Sequence, residues 1–442
     1  MKDQDNELDT CGQQPNLGIY TQLCLCYPLS DESIHQRIVD RLNSGLIRLA
    51  EGFPWVAAQV VNEGANESSA GVFKFRPLEG TPRLIVQDLR STSPEITWTS
   101  LKDDQFPFRS LDEGIICPRK TIPDGTEGPE KPVFLVQANF ITGGLLLTFT
   151  ASHQALDMTG QGRVMHLLDK ACRGEAFTAD ELLSGNPKRS SLIAFLDGTL
   201  PDNPFQDVKD PVPPSPPAKC SWAYISFSAS ALAELKSEAT AVLTSGFVST
   251  DDVLTAFIWK SIARARSSRL GDHIETTLGR AVDPRRFLDI PETYPGIIQN
   301  MVYHKRAIGE LAAEPLGKTA KELRVAVDPS TSTLSYDTRV LMTKLHRSPL
   351  KDTVTVSATF NGSKDIMLSS WAKEKSYALE FGLGLGTPVA VRRPQFVPYE
   401  GLLYLMPKRL DGEILLAACL REEDLETLKT DDWFLRFGVP VL

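Results

Sequence analysis

Hydrophobic and polar positions in this chain follow two rhythms. From Tyr20 to Tyr27 they alternate in a strand-like way, and Cys24 and Cys26 share one face;. Between residues 31 and 51 the apolar positions Ile34, Ile38, Leu42, Leu46 and Leu49 recur every three or four residues, predicting an amphipathic helix capped by Ser30 or Asp31;. Strand-like segments follow at 54–61, 70–76 and 83–88. Val133–Ile141, a turn at 142–144 and Leu145–Ala151 then predict a hairpin of two largely apolar strands;. Residues 201–217 hold seven prolines, which excludes a helix or central strand and predicts an extended crossover;. The pattern then restarts. A strand is expected at 222–227, a helix at 229–240, a capped helix start at Ser249, a hairpin of 402–407 with 414–420, and a short helix from Glu422. The acidic, polar residues 1–16 are expected to fray;.

This rhythm divides the chain into an N-terminal domain at 1–200, a linker at 201–219 and a C-terminal domain at 220–442. The 442 residues exceed one ordinary core, and two domains of about 200 residues are the natural division;. A net charge of −9 would repel a phosphate backbone, so nucleic acid is not an expected partner;. The seven cysteines are scattered without Cys-x-x-Cys or His-rich companions, which argues against a metal site and for free thiols in a reducing compartment;. No apolar run reaches the length of a membrane span, and the N-terminus lacks the features of a signal or transit peptide;. A cytoplasmic monomer without membrane contact is the expectation.

The chemistry concentrates where the second strand of the first hairpin ends, at Ser152-His153-Gln-Ala-Leu-Asp157, ahead of Gly160 and Gly162. An imidazole at a strand end can sit at the mouth of a cavity and take a proton from a hydroxyl near neutral pH. The same residues also read as a satisfied core histidine and a helix N-cap. The five other histidines lie in helical or loop contexts without evident partners and receive no role.

About 220 residues later the chain reads Glu380-Phe-Gly-Leu-Gly384. Together with His153-x-x-x-Asp157 this resembles the BAHD-type acyl-CoA-dependent acyltransferases, whose signatures are His-x-x-x-Asp and Asp-Phe-Gly-Trp-Gly. Asp365–Trp371, Phe381–Pro388, Val391-Arg-Arg-Pro394, Arg280–Arg285, Tyr294-Pro-Gly296, Gln299-Asn300 and Ser249–Trp259 resemble the fungal branch, which includes trichothecene 3-O-acetyltransferases. The resemblance runs from about residue 15 to the C-terminus. Glu380 replaces the family aspartate and Leu383 the tryptophan.

The resemblance implies an α/β fold of two chloramphenicol-acetyltransferase-like domains with mixed β-sheets and a tunnel at their interface. It implies transfer of an acyl group, such as acetyl from acetyl-CoA, to a hydroxyl of a terpenoid, alkaloid or polyketide. His153 would act directly as the base. Asp157 would hold the loop through a salt bridge rather than touch the reacting atoms. Ser369 and the Trp371 indole would donate to the thioester oxygen; a packed strand end is the other reading of that pair. Ser249, Thr250 and Ser370 would contact CoA, although Ser249 is equally an ordinary N-cap. Glu380 and Arg285 would form a structural ion pair, and Gly382 and Gly384 a close-packed turn. Arg392-Arg393 reads as a solvated basic pair or a guide for CoA phosphates. No metal is implied. Two rivals remain: a condensation-type enzyme with a carrier-bound donor, and a non-catalytic small-molecule-binding member of the fold. Ser152 occupies the place where condensation domains carry a second histidine.

Overall fold

A computed structural model describes residues 6–78, 83–203, 206–207 and 218–441. Its first half begins with strand β1 (Tyr20–Pro28), helix α1 (His35–Gly52), the ribbon of β2 (Ala58–Glu63) and β3 (Val72–Pro77), and β4 (Leu84–Asp88). The hairpin of β5 (Phe134–Ile141) and β6 (Gly144–Ser152) follows, then helix α2 (Met158–Arg173). β6 is buried along its whole length because both faces of its sheet are covered. Leu145, Leu147, Phe149 and Ala151 join the main core, while Leu146 packs with Cys24 and Cys26 against residues 89–116.

In the second half come β7 (Cys220–Phe227), α3 (Ala229–Ala241), α4 (Thr250–Leu270), β8 (Glu275–Val282), β9 (Asn300–Ala307) and α5 (Leu316–Val325). β10 (Ile366–Ser370), β11 (Ala390–Arg392), β12 (Leu402–Leu405), β13 (Ile414–Arg421), α6 (Glu422–Leu428) and β14 (Val439–Val441) complete it. The second sheet runs β14-β7-β13-β12-β10-β8-β9 and is mixed, since β10 is parallel to both neighbours. One face, with Ile225, Leu278, Leu368, Leu403 and Leu416, packs on helices that include α3 and α4. The opposite face, with Trp222, Tyr224, Leu415 and Ala417, merges with the core of the first half.

The first sheet runs β11-β1-β6-β5-β4 and is also mixed, through the parallel pair β4–β5. Its edge strand β11 comes from the far side of the proline-rich stretch. Most of that stretch lies outside the described residues; within it, Asp207 pairs with Lys344 at 2.7 Å.

Two expectations need correction. Residues 54–57 form a 3-10 turn, because Pro54 suits a first helical position and cannot donate to a ladder;. Residues 6–17 are folded rather than frayed: Asp9 is buried, pairs with Arg189 at 2.9 Å and accepts from the Tyr294 hydroxyl. The acidic composition of this segment concealed a carboxylate with buried partners.

Candidate active site

β6 ends where its backbone changes partners. Ser152 N–H donates to the Val133 carbonyl and His153 N–H to that of Ile19, both at 2.9 Å. The chain then turns, with Leu156 N–H returning to the Ser152 carbonyl at 3.1 Å. This turn brings the Leu156 carbonyl to 3.1 Å from His153 Nδ1. The tautomer that satisfies this carbonyl carries its proton on Nδ1 and leaves Nε2 with a free lone pair. The ring is partly open while Gln154 through Asp157 are buried. Burial lowers the imidazole pKa; the Leu156 carbonyl opposes that shift and Arg393 reinforces it. Burial thus favours the neutral ring.

Asp157 faces away from this ring. Its carboxylate caps α2 by accepting from Gly160 N–H at 2.7 Å, and it also accepts from Ile298 N–H at 2.8 Å. Arg285 Nη2 reaches its two oxygens at 2.8 and 3.1 Å. Burial pushes the carboxyl up, and the Arg285 guanidinium and the two backbone N–H donors act against that in favour of the carboxylate. The two halves approach closely here: a Cβ on Gly160 would stand 2.0 Å from the Pro295 carbonyl oxygen. Only glycine fits that contact.

Ser369 lies on β10 opposite Tyr404 of β12. The Trp371 indole N–H donates to Ser369 Oγ at 3.0 Å, and Trp371 packs in the core with its ring centre 4.6 Å from that of Tyr404. The packed strand end is the reading this geometry shows. The indole does not offer a second free donor; it orients the serine, whose own proton has no acceptor among the described residues.

The expected Glu380–Arg285 pair is corrected. Arg285 is engaged by Asp157 and Asp283, behind the start of α2. Glu380 is exposed beside the other end of α2, where Asp169 accepts from the backbone N–H of Glu380 and Phe381 at 3.1 and 2.6 Å. Gly382 and Gly384, at φ 61° and 78°, supply the left-handed turn that follows;. Asp169, which also pairs with Arg173 at 3.0 Å, thus ties this turn to α2 through the backbone.

At the start of α4, Ser249 caps the helix and donates its hydroxyl proton to Asp252 at 2.6 Å. Ser370 likewise donates to Asp251. Arg280 pairs with Asp251 at 2.6 Å and with Asp252 at 3.0 Å, and Arg324 also pairs with Asp252. The three residues assigned to CoA thus lie together, with Thr250 half-buried between them. Two of their hydroxyls are engaged in holding the helix start.

Arg392 and Arg393 are not solvated: both are buried, at 4% and 2% exposure. The apolar residues before them, Val389-Ala-Val391, were the available signal. His304 also has a partner, Glu322 at 3.2 Å, and it lies on β9 rather than on a helix or loop. His35 and His346 stack on Phe140 and Phe195. Among the described residues no helix is long and apolar enough to cross a membrane, and no cluster of three or more His, Cys, Asp or Glu could hold a metal ion.

Two family models match the chain: "Trichothecene 3-O-acetyltransferase-like N-terminal domain" over residues 19–172 and "Transferase family" over residues 118–435. An O-acetyltransferase of Cryptosporiopsis sp. is 48% identical, covering 99% of this chain and 98% of its own. The trichothecene 3-O-acetyltransferase of Fusarium sporotrichioides is 46% identical, over 98% and 96% respectively. The crystal structure of F. graminearum TRI101 complexed with coenzyme A and deoxynivalenol superposes with a TM-score of 0.94 at 44% identity, covering 99% of both chains.

Proposed function

The chain belongs to the transferase family, with an N-terminal region of the trichothecene 3-O-acetyltransferase-like type, and from this we propose how it works as an acyl-CoA-dependent O-acetyltransferase. Its acceptor is a hydroxyl on a small, largely apolar secondary metabolite, and its acyl donor is acetyl-CoA. The reading is supported by full-length likeness to acetyltransferases, one of them solved with CoA and a trichothecene. The observation that carries the mechanism is the His153 ring, part-open and with Nδ1 held by the Leu156 carbonyl.

In this mechanism Nε2 of His153 takes the proton of the acceptor hydroxyl as its oxygen attacks the thioester carbonyl. Negative charge gathers on the thioester oxygen, where the Ser369 hydroxyl, oriented by Trp371, donates to it. The C–S bond then breaks, CoA leaves as thiolate or thiol, and the imidazolium returns its proton. Asp157 and Arg285 hold the loop and the seam. CoA lies by the start of α4, with Thr250 facing it and Ser249 and Ser370 supporting through Asp252 and Asp251. The domain division at residues 201–219, a tunnel along the seam, a monomeric state and a cytoplasmic location belong to the same proposal.

The deciding experiment supplies acetyl-CoA with a trichothecene-type alcohol and follows thiol release and product mass. Wild type should release one thiol per ester formed, and His153→Ala should lose nearly all turnover while still binding CoA. Full activity in the folded variant would sink the assignment of the base.

A further inference from the structure

Arg393 lies over the ring of Trp371, which orients Ser369, and the mechanism above gives it no part. Other deeply buried arginines have a carboxylate: Asp9 for Arg189, Asp424 for Arg266, Asp252 for Arg280 and Asp157 for Arg285. Arg392 lacks one, but its three nitrogens donate to the carbonyls of Phe106, Val391 and Gln105. Among the described residues Arg393 has only long contacts to neutral oxygens, from Nη1 to the Gln22 carbonyl at 3.4 Å and from Nη2 to Thr121 Oγ1 at 3.3 Å. Its buried Nε–H has no partner among the described residues. A buried cation without a counter-ion is costly and does not persist without compensation. Three aromatic faces supply part of it: the guanidinium carbon lies 4.4 Å from the ring centre of Phe396, 4.8 Å from Tyr404 and 5.7 Å from Trp371;.

The location of this charge joins the two sides of the site. Gln22 pairs with Thr150 on β6, three residues before His153. Trp371 and Tyr404 flank Ser369. The groups that could neutralise Arg393 are otherwise engaged. Glu113 accepts from Thr121 N–H at 2.7 Å and is pushed up by burial, with Arg393 acting against that shift but making no ion-pair contact with it. Cys117 is pushed up by burial as well, and so is Tyr224, whose hydroxyl donates to the Arg393 carbonyl. Tyr404, packed under the guanidinium, is also raised by burial and carries no charge. His153 Nδ1 is held by the Leu156 carbonyl and Arg393 acts electrostatically against a charged ring, while the Asp157 carboxylate is turned to Arg285.

We infer that Arg393 is a positioning residue for this reaction: a buried cation without a carboxylate in ion-pair contact among the described residues, which disfavours a charged His153 in the resting site and favours negative charge on the thioester oxygen beside Ser369. This inference rests on the acetyl-transfer reading, and its test separates the two. Arg393→Met and Arg393→Gln remove the charge at similar length, and Arg393→Lys keeps it. In the neutral variants the acid limb of kcat/KM is expected to move to higher pH. Their kcat should fall roughly tenfold or more, as for loss of a charge-stabilising group, with KM for acetyl-CoA unchanged. Arg393→Lys should keep the acid limb of wild type. The His153 imidazole is also titrated by NMR, which needs no turnover. Its midpoint should lie below the ordinary value of about 6.5 in wild type and rise in whichever neutral variant folds. A folded neutral variant with the wild-type midpoint and acid limb overturns the inference. So does a wild-type midpoint at or above the ordinary value, should neither neutral variant fold. Absence of acetyl transfer by wild type would overturn the functional reading and leave the titration standing.

Discussion

The starts of α2 and α4 both rest on a buried aspartate clasped by arginine, yet the two clasps differ in reach. Asp157 caps α2 and is held by Arg285, 128 positions away in the other half of the chain. Asp252 belongs to the capping box of α4 and is held by Arg280 and Arg324, from the same half. The first clasp pins the loop after β6 to the seam, whereas the second holds together one half. The same local chemistry therefore serves a joint in one place and a foundation in the other, and partner choice decides which.

The comparison is sharpened first by separating chemistry from clasp. His153→Ala should lower kcat by roughly 10²- to 10⁴-fold, the range for a positioned base, with its melting temperature near that of wild type. Next come the clasps. Asp157→Ala leaves Arg285 charged and buried and should cost about 3–5 kcal/mol of stability, with a loss of kcat per folded molecule in stopped thiol assays. Asp252→Ala should destabilise by a comparable amount while the folded fraction keeps its kcat. Equal kcat losses in the two variants would break the distinction. Ser369→Ala should reduce kcat by roughly a hundredfold without lowering CoA affinity measured by calorimetry. The smallest effect is expected of Ser249→Ala, about 1 kcal/mol in denaturant midpoint from a lost N-cap. In wild type, kcat/KM should fall on the acid side with a midpoint below the ordinary imidazole value, since burial favours the neutral ring.

Much of the first sheet was legible because β5 and β6 are largely apolar, continuously so on the face of Phe134, Val136, Leu147 and Phe149, and His153 follows directly after that pattern. Asp157 was legible as a cap and, through the family resemblance, as a salt-bridge residue. Its partner was not. Asp283, Arg285 and Glu380 are all charged residues in turns, and only the path of the 283–298 loop behind α2 decides which of them meet. Arg393 was misread for a related reason. A basic pair ahead of a proline looks solvated, and although Val389-Ala-Val391 and Phe396 stand close in sequence, its burial depends also on Trp371 and Tyr404, which no short window joins to it. Asp9 hid in the same way, its partners being Arg189 and Tyr294.

The pairing of β11 with β1 has a consequence for how this polypeptide is made. Cys24 to Cys26 acquire their outer neighbours only from Ala390 to Arg392, so the first sheet keeps an uncovered border through most of translation. A fragment released at residue 200 would carry that border permanently, as a template for stray strands from other chains. The last turns of synthesis on the ribosome, rather than the first, close the architecture.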